Sequence, residues 1–278
     1  MKSPLTGLML AVMIALPARA EPVGYRYEIM WGGFHAGELA ITRDDGGPRT
    51  VTGMSIRTLG LFDSLLRLRF SAEGGGRRDD GTGLTSEYYR THFRNRSREQ
   101  VLRVAYRPGD EAVIVEDQVL AVFAPSSDDG DPMPEVPPEL RRGGLDPLTN
   151  VALLGKKAAE ALNGGASRFR TTTFDGRRNY DFDVTVEGRG RVNIRGREYQ
   201  TIRLRMVLHP VAGFKERFRK LWEGADYTVH LDPQTLLPVR IETDSFTAST
   251  VINVIEPCLV AADQCGPRLA ADGEGGGK

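Results

Sequence analysis

Most of the chain alternates between apolar and polar residues. Tyr25, Tyr27, Ile29 and Trp31 fall on one side and Arg26, Glu28 and Met30 on the other, the period of a half-buried strand. Gly32-Gly33 predicts a turn, and a second strand follows Gly37 through Leu39 and Ile41. The same grammar recurs over residues 66–70, 101–107, 112–115, 168–174, 180–187, 191–195, 200–208, 226–231, 238–243 and 250–255. Its clearest instance sets Ile202, Leu204, Met206 and Leu208 against Thr201, Arg203, Arg205 and Val207. Such a series predicts antiparallel sheet that is wet on one face. One segment departs from it. Asp146-Pro147 places a capping carboxylate before a proline suited to a first helical turn. Leu148, Val151, Ala152, Ala158, Ala159 and Leu162 then recur at helical spacing until Asn163-Gly164-Gly165 ends the run. The fold expected is therefore mainly β: a strongly curved antiparallel sheet, an open half-barrel or β-spiral, wrapped around one main α-helix over about 146–163. Residues 74–83 read as a Gly, Arg and Asp turn, and 126–142 as a Pro- and Asp-rich loop leading to the helix.

The first residues change the compartment. Lys2, an apolar run from Leu8 to Leu16, Pro17 and Ala18-Arg19-Ala20 make a cleavable export signal over 1–20. A single β-rich domain over 21–265 and a disordered tail over 266–278 are expected to follow. Removing Lys2 and Arg19 leaves 35 basic against 37 acidic residues, no surplus that would recommend a nucleic-acid partner. Export also gives Cys258 and Cys265 a meaning. With six residues between them, they predict a local disulfide in an oxidising, periplasmic location.

Three stretches resemble a bacterial family known only as domain of unknown function 3108. They are YRYEIMWGGFHAGELAI over 25–41, GGLDPLTNVALL over 143–154 with FDGRRNYDF over 174–182, and VHLDPQTLLPVRIE over 229–242. The resemblance implies a periplasmic protein whose curved sheet wraps a helix, similar to the open half-barrel of outer-membrane lipoprotein carriers. It implies no activity and no catalytic residues. The segment FKERFRKLW and the cysteine loop are departures from its pattern.

No constellation recommends catalysis. There is no G-x-S-x-G elbow, and both cysteines are expected to be bonded. His230 and Asp232 share a strand face but lack a third ligand at a recognisable spacing. Gly188, Gly190 and Gly196 read as a hairpin turn, not a phosphate cradle, and Asp181 and Asp183 as a wet sheet face. No cofactor and no metal are expected.

Two apolar stretches remain. In TLGLFDSLLRLRF, alternation fails around Leu59, Leu61, Phe62, Leu65 and Leu66, which predicts a buried strand bent at Asp63-Ser64 or else the mouth of an apolar groove. In GFKERFRKLWEG, Phe214, Phe218, Leu221 and Trp222 fall at helical spacing with Lys215, Glu216, Arg217, Arg219 and Lys220 around them. That is the composition of an interfacial membrane contact through Lys215, Arg217, Arg219 and Lys220. Phe218, Lys220 and Trp222 also alternate, so a strand remains open. The reading is a non-enzymatic periplasmic protein that binds a lipid, lipoprotein or other hydrophobic ligand in support of envelope integrity. Its ligand contacts would be Leu61, Phe62, Leu65, Leu66, Phe214, Phe218 and Trp222. The alternative is a module that docks a periplasmic protein through a sheet edge or the cysteine loop.

Overall fold

A computed structural model describes residues 21–78, 83–125, 133–258 and 265. The expected export signal over 1–20 and tail over 266–278 lie outside the described residues. Seven strands come first: β1 (Val23–Trp31), β2 (Phe34–Asp44), β3 (Arg49–Thr58), β4 (Arg69–Arg78), β5 (Leu84–Arg94), β6 (Arg98–Ala105) and β7 (Val113–Val122). After helix α2 (Pro147–Leu162) come β8 (Arg168–Phe174), β9 (Asn179–Ile194), β10 (Arg197–Ala212), β11 (Ala225–Leu231), β12 (Pro238–Thr243) and β13 (Thr250–Pro257). Two short helices interrupt the strands, α1 (Gly60–Leu66) between β3 and β4 and α3 (Glu216–Trp222) between β10 and β11.

Among the described residues all thirteen strands belong to one open sheet, with β1 paired to β13 at its middle and β7 and β8 as its two edges. Every ladder is antiparallel. The chain thus leaves one edge, passes through α2 and re-enters at the other. The linker also stitches these edges at one place. The Ala112 amide donates to Arg141 O at 3.2 Å, and the Leu145 amide donates to Thr172 O at 2.9 Å. Helix α2 contacts β3, β4 and β5 as well as β8, β9 and β10, so the sheet curves around it.

The helix docks where the sequence expects it, and the strand glycines explain how closely. Asp146 caps it, its Oδ1 accepting from the Leu148 amide at 2.9 Å and the Thr149 amide at 3.0 Å. Gly74 and Gly76 lie beneath that first turn. A Cβ at Gly74 would overlap the Asp146 carboxylate, and one at Gly76 would fall 2.7 Å from Thr149 Cγ2. Residues 74–78 are therefore strand, not the expected turn, and the missing side chains there admit the helix. The core follows the helix: Leu148 packs with Tyr89, Leu102, Val104 and Phe174, and Leu154 and Ala158 pack with Ile202, Leu204, Met206 and Leu231.

Other expectations are corrected in detail. Residues 60–66 form α1, which has no buried residue, so the buried-strand reading of that stretch fails. The strand placed at 66–70 begins instead at Arg69. Runs 180–187 and 191–195 are one strand, β9, with a register shift opposite Arg203 and Leu204. Strand β7 extends to Val122, well beyond the expected Val115. Strands β3 and β5 carry no clear alternation, because RTVTGMSIRT and LTSEYYRTHFR have polar residues on both faces. The expected disulfide joins Cys258 to Cys265, and the Cys258 amide donates to Gly24 O at 2.8 Å, tying the loop to β1.

Candidate functional site

Antiparallel connections sort the loops into two groups, and both apolar stretches singled out above fall at the same end of the sheet. That end carries the β1–β2 tip at 31–34, α1, the β5–β6 turn, the end of β7, the β8–β9 turn, α3 and the β12–β13 loop.

Helix α1 is held from behind. Asp63 Oδ1 accepts from Thr58 Oγ1 at 2.9 Å and from Arg69 Nη1 at 2.6 Å. The Arg69 guanidinium, first of all, and the Thr58 hydroxyl hold the Asp63 carboxyl below its ordinary value. Arg67 closes the helix in the left-handed conformation. This anchoring leaves the apolar side uncovered: Leu61 is 71% exposed, Leu65 56% and Leu66 51%. Phe62 turns instead onto Trp31, with ring centroids 5.6 Å apart. Beside them Phe34, at the tip of the β1–β2 hairpin, is also 71% exposed.

The contact continues to the second stretch. The Gly32 amide donates to Ser249 O at 2.8 Å, joining the tip to the β12–β13 loop. On that loop Phe246 packs 5.3 Å from the Trp222 ring. Residues 216–222 are a helix, which settles the choice between helix and strand. Phe214, just before it, is buried against Tyr180 and beneath the Arg178 guanidinium. Phe218 and Trp222 are partly covered, while Arg217, Arg219, Lys220 and Leu221 are exposed. Lys215 is the exception among the expected surface cations: it precedes the helix and is buried. His209 joins the end of α3 to the sheet, with Nδ1 3.3 Å from Glu223 Oε1 and Nε2 3.1 Å from Asp183 Oδ2. The structure thus joins Leu61, Phe62, Leu65 and Leu66 to Phe218 and Trp222 along one rim, and turns Phe214 inward.

A groove of about 870 Å³ enters the concave face near this rim. Its walls include Phe70, Tyr89, Phe93, Leu102, Ile114 and Phe174. Four arginines, Arg98, Arg141, Arg177 and Arg178, stand along it with Asp117, Glu135 and Asp175. Composition gave no hint of this groove, because its residues come from six separate segments. A second cleft of about 730 Å³, between α2 and the strand ends carrying Arg43, Arg78 and Leu84, lies at the opposite end.

The remaining sequence candidates do not converge. Asp232 accepts from the Tyr25 hydroxyl at 2.6 Å, while His230 meets Thr201 Oγ1 at 3.3 Å and Glu242 Oε2 at 3.7 Å. Asp181 accepts from Thr172 and Asp183 from Arg170, as a wet sheet face would have it. Among the described residues no group of three or more His, Cys, Asp or Glu is placed to hold a metal ion. No helix among them is long and apolar enough to cross a membrane.

Known proteins resemble this architecture more than any site. A crystal structure of a β-barrel-like protein of domain of unknown function DUF1849 from Brucella abortus superposes with a TM-score of 0.52 at 12% identity, covering 86% of this chain and 98% of that one. No curated protein matches the chain. The family model described as "Protein of unknown function (DUF3108)" matches residues 26–253, and the chain belongs to that family.

Proposed function

We propose that this is a non-enzymatic, exported protein of the cell envelope that binds lipid, resting the rim of α1, the β1–β2 tip and α3 on a bilayer surface. The observation that carries the reading is the uncovered side of α1, where Leu61, Leu65 and Leu66 stand beside Phe34 and Trp31 with nothing among the described residues over them. An exposed apolar cluster of this kind marks an interaction surface. Moving one such side chain fully out of water is worth about 1.5–3 kcal/mol. Each Lys or Arg close to an anionic surface adds about 1 kcal/mol, and Arg217, Arg219 and Lys220 lie on the same end. The test is flotation of the mature chain with vesicles of phosphatidylcholine and phosphatidylglycerol. Binding should fall at least tenfold in the triple variant Leu61→Ser, Leu65→Ser, Leu66→Ser. Wild-type protein left in the lipid-free fraction would sink the reading.

One observation favours a second reading, a protein-docking edge. Strand β7 is an edge of the sheet, and Val113, Val115, Val119, Leu120 and Val122 along it are each at least 44% exposed. An uncovered apolar edge is a template for strand addition. Crosslinking from β7 to one stoichiometric protein, independent of lipid, would favour this reading over the first.

A further inference from the structure

We infer that the groove beside the rim binds a single-chain amphiphile with an anionic head, a carboxylate or a phosphate, and that Arg98 receives the head. The inference deepens the lipid-binding reading and rests on it for the direction from which the ligand arrives.

Of the four groove arginines, Arg98 alone has neither an ion pair nor a side-chain hydrogen bond among the described residues, since the Arg178 guanidinium stands 4.0 Å from Asp175. Asp117 is engaged by the Arg177 guanidinium. Asp175 accepts from the Arg177 amide at 2.8 Å and the Arg178 amide at 2.6 Å within its own turn. Arg141 turns its Nε to Val136 O at 2.8 Å. Glu99, the neighbour of Arg98 in sequence, meets His92 at 2.7 Å and Arg94 at 3.8 Å on the other face of the sheet. Glu135 is exposed on the linker. Among the described residues the Arg98 side chain has no carboxylate partner, yet it is half-buried in the groove wall. A guanidinium so placed is a ready bidentate receptor for a planar carboxylate or for two phosphate oxygens.

The rest of the groove suits a hydrocarbon tail. From Arg98 the wall runs inward over Phe93, Phe70, Tyr89, Leu102 and Phe174. Its volume, about 870 Å³, lies within the ~300–1,000 Å³ of small-molecule sites. Helix α2 does not fill it, because the helix begins at Pro147 and runs toward the opposite end, where Leu236 lies against Gly155. The tail would therefore lie beyond the helix N-terminus, over the part of the concave face that α2 leaves uncovered.

The test is calorimetric titration of the mature protein with four probes below their micellar concentrations: sodium myristate, myristoyl lysophosphatidylglycerol, the uncharged monomyristoylglycerol and inorganic phosphate. The expected result is one charged amphiphile bound per chain, with the uncharged probe at least tenfold weaker and phosphate alone without measurable heat. Arg98→Gln should weaken the charged probes about tenfold and leave the uncharged one unchanged, while Arg98→Lys should fall between. A preference for myristate over the lysolipid, or the reverse, assigns the head group. Equal binding of charged and uncharged probes overturns the inference, as does an Arg98→Gln protein that keeps the preference. Phosphate bound as tightly as the amphiphiles would reduce the site to a bare anion site and overturn it as well. Vesicle flotation that depends on Leu61, Leu65 and Leu66 without any amphiphile binding sinks this inference and leaves the rim reading standing.

Discussion

The Ser86 hydroxyl donates to Asp146 Oδ2 at 2.6 Å, and the Asp146 amide donates back to Ser86 Oγ at 2.7 Å. This reciprocal pair fixes the N-terminus of α2 to β5 at a point with no solvent access, since Asp146 is 0% exposed. Where the helix begins is thus set by one carboxylate that serves as both cap and crossbeam. Asp146→Ala should cost about 2–4 kcal/mol, combining a lost cap with buried donors left unpaired. Ser86→Ala should cost about 1–2 kcal/mol. Urea denaturation followed by circular dichroism checks both, and a loss below half a kcal/mol for Asp146→Ala would contradict the assignment.

The same carboxylate makes a pH prediction. Burial pushes the Asp146 carboxyl above its ordinary value, against the hydrogen bonds from Ser86, Thr149 and Leu148 that oppose the shift. A folded-state value above the unfolded one gives stability that is full below the unfolded value and is lost as pH rises through the folded one. The advantage of the wild type over Asp146→Asn should therefore be larger at about pH 4 than at about pH 7. Parallel denaturation curves at the two pH values measure it, and an advantage that grows toward neutrality would show the opposite linkage.

Gly74 and Gly76 should tolerate no side chain. Gly74→Ala would press on the Asp146 carboxylate and Gly76→Ala on Thr149. Each should lose about 1–3 kcal/mol by overpacking, even though alanine suits a strand better than glycine does. Gly190, whose added Cβ would come no nearer than 3.5 Å to a neighbour, is the control expected to stay within about 0.5 kcal/mol.

Both tryptophans, Trp31 and Trp222, lie on the proposed bilayer rim. Tryptophan fluorescence of the mature chain should therefore shift to the blue on adding anionic vesicles and reverse at high salt, as screened charges release. A spectrum indifferent to vesicles would count against the rim.

Replacing Cys258 and Cys265 by serine opens a short loop near β1, and loop entropy gives a cost of about 2.5 kcal/mol. Thermal melts of reduced and oxidised wild type supply the same comparison. A sheet whose middle is the β1–β13 pair should feel the loss beyond the loop itself, through faster exchange of the β1 amides.

The sequence by itself determined what local chemistry can encode. Period-two alternation marked most strands, Asp146-Pro147 and Asn163 bounded the helix, and spacing paired the cysteines, because each signal is complete within a few residues. It also marked 59–66 and 213–224 as unusual. What it left undecided depends on neighbours far along the chain. Residues 74–76 became strand because a helix more than seventy positions away needed their empty faces. Residues 60–66 sit at the rim where Phe62 packs on Trp31, a ring on another strand. Only the pairing of β1 with β13 brings the two apolar stretches to one rim. Arg98 acquires significance only where the curved sheet sets it among aromatic rings with no carboxylate among the described residues paired to it. Local periodicity fixes which way a side chain faces; the closure of distant strands decides what it faces.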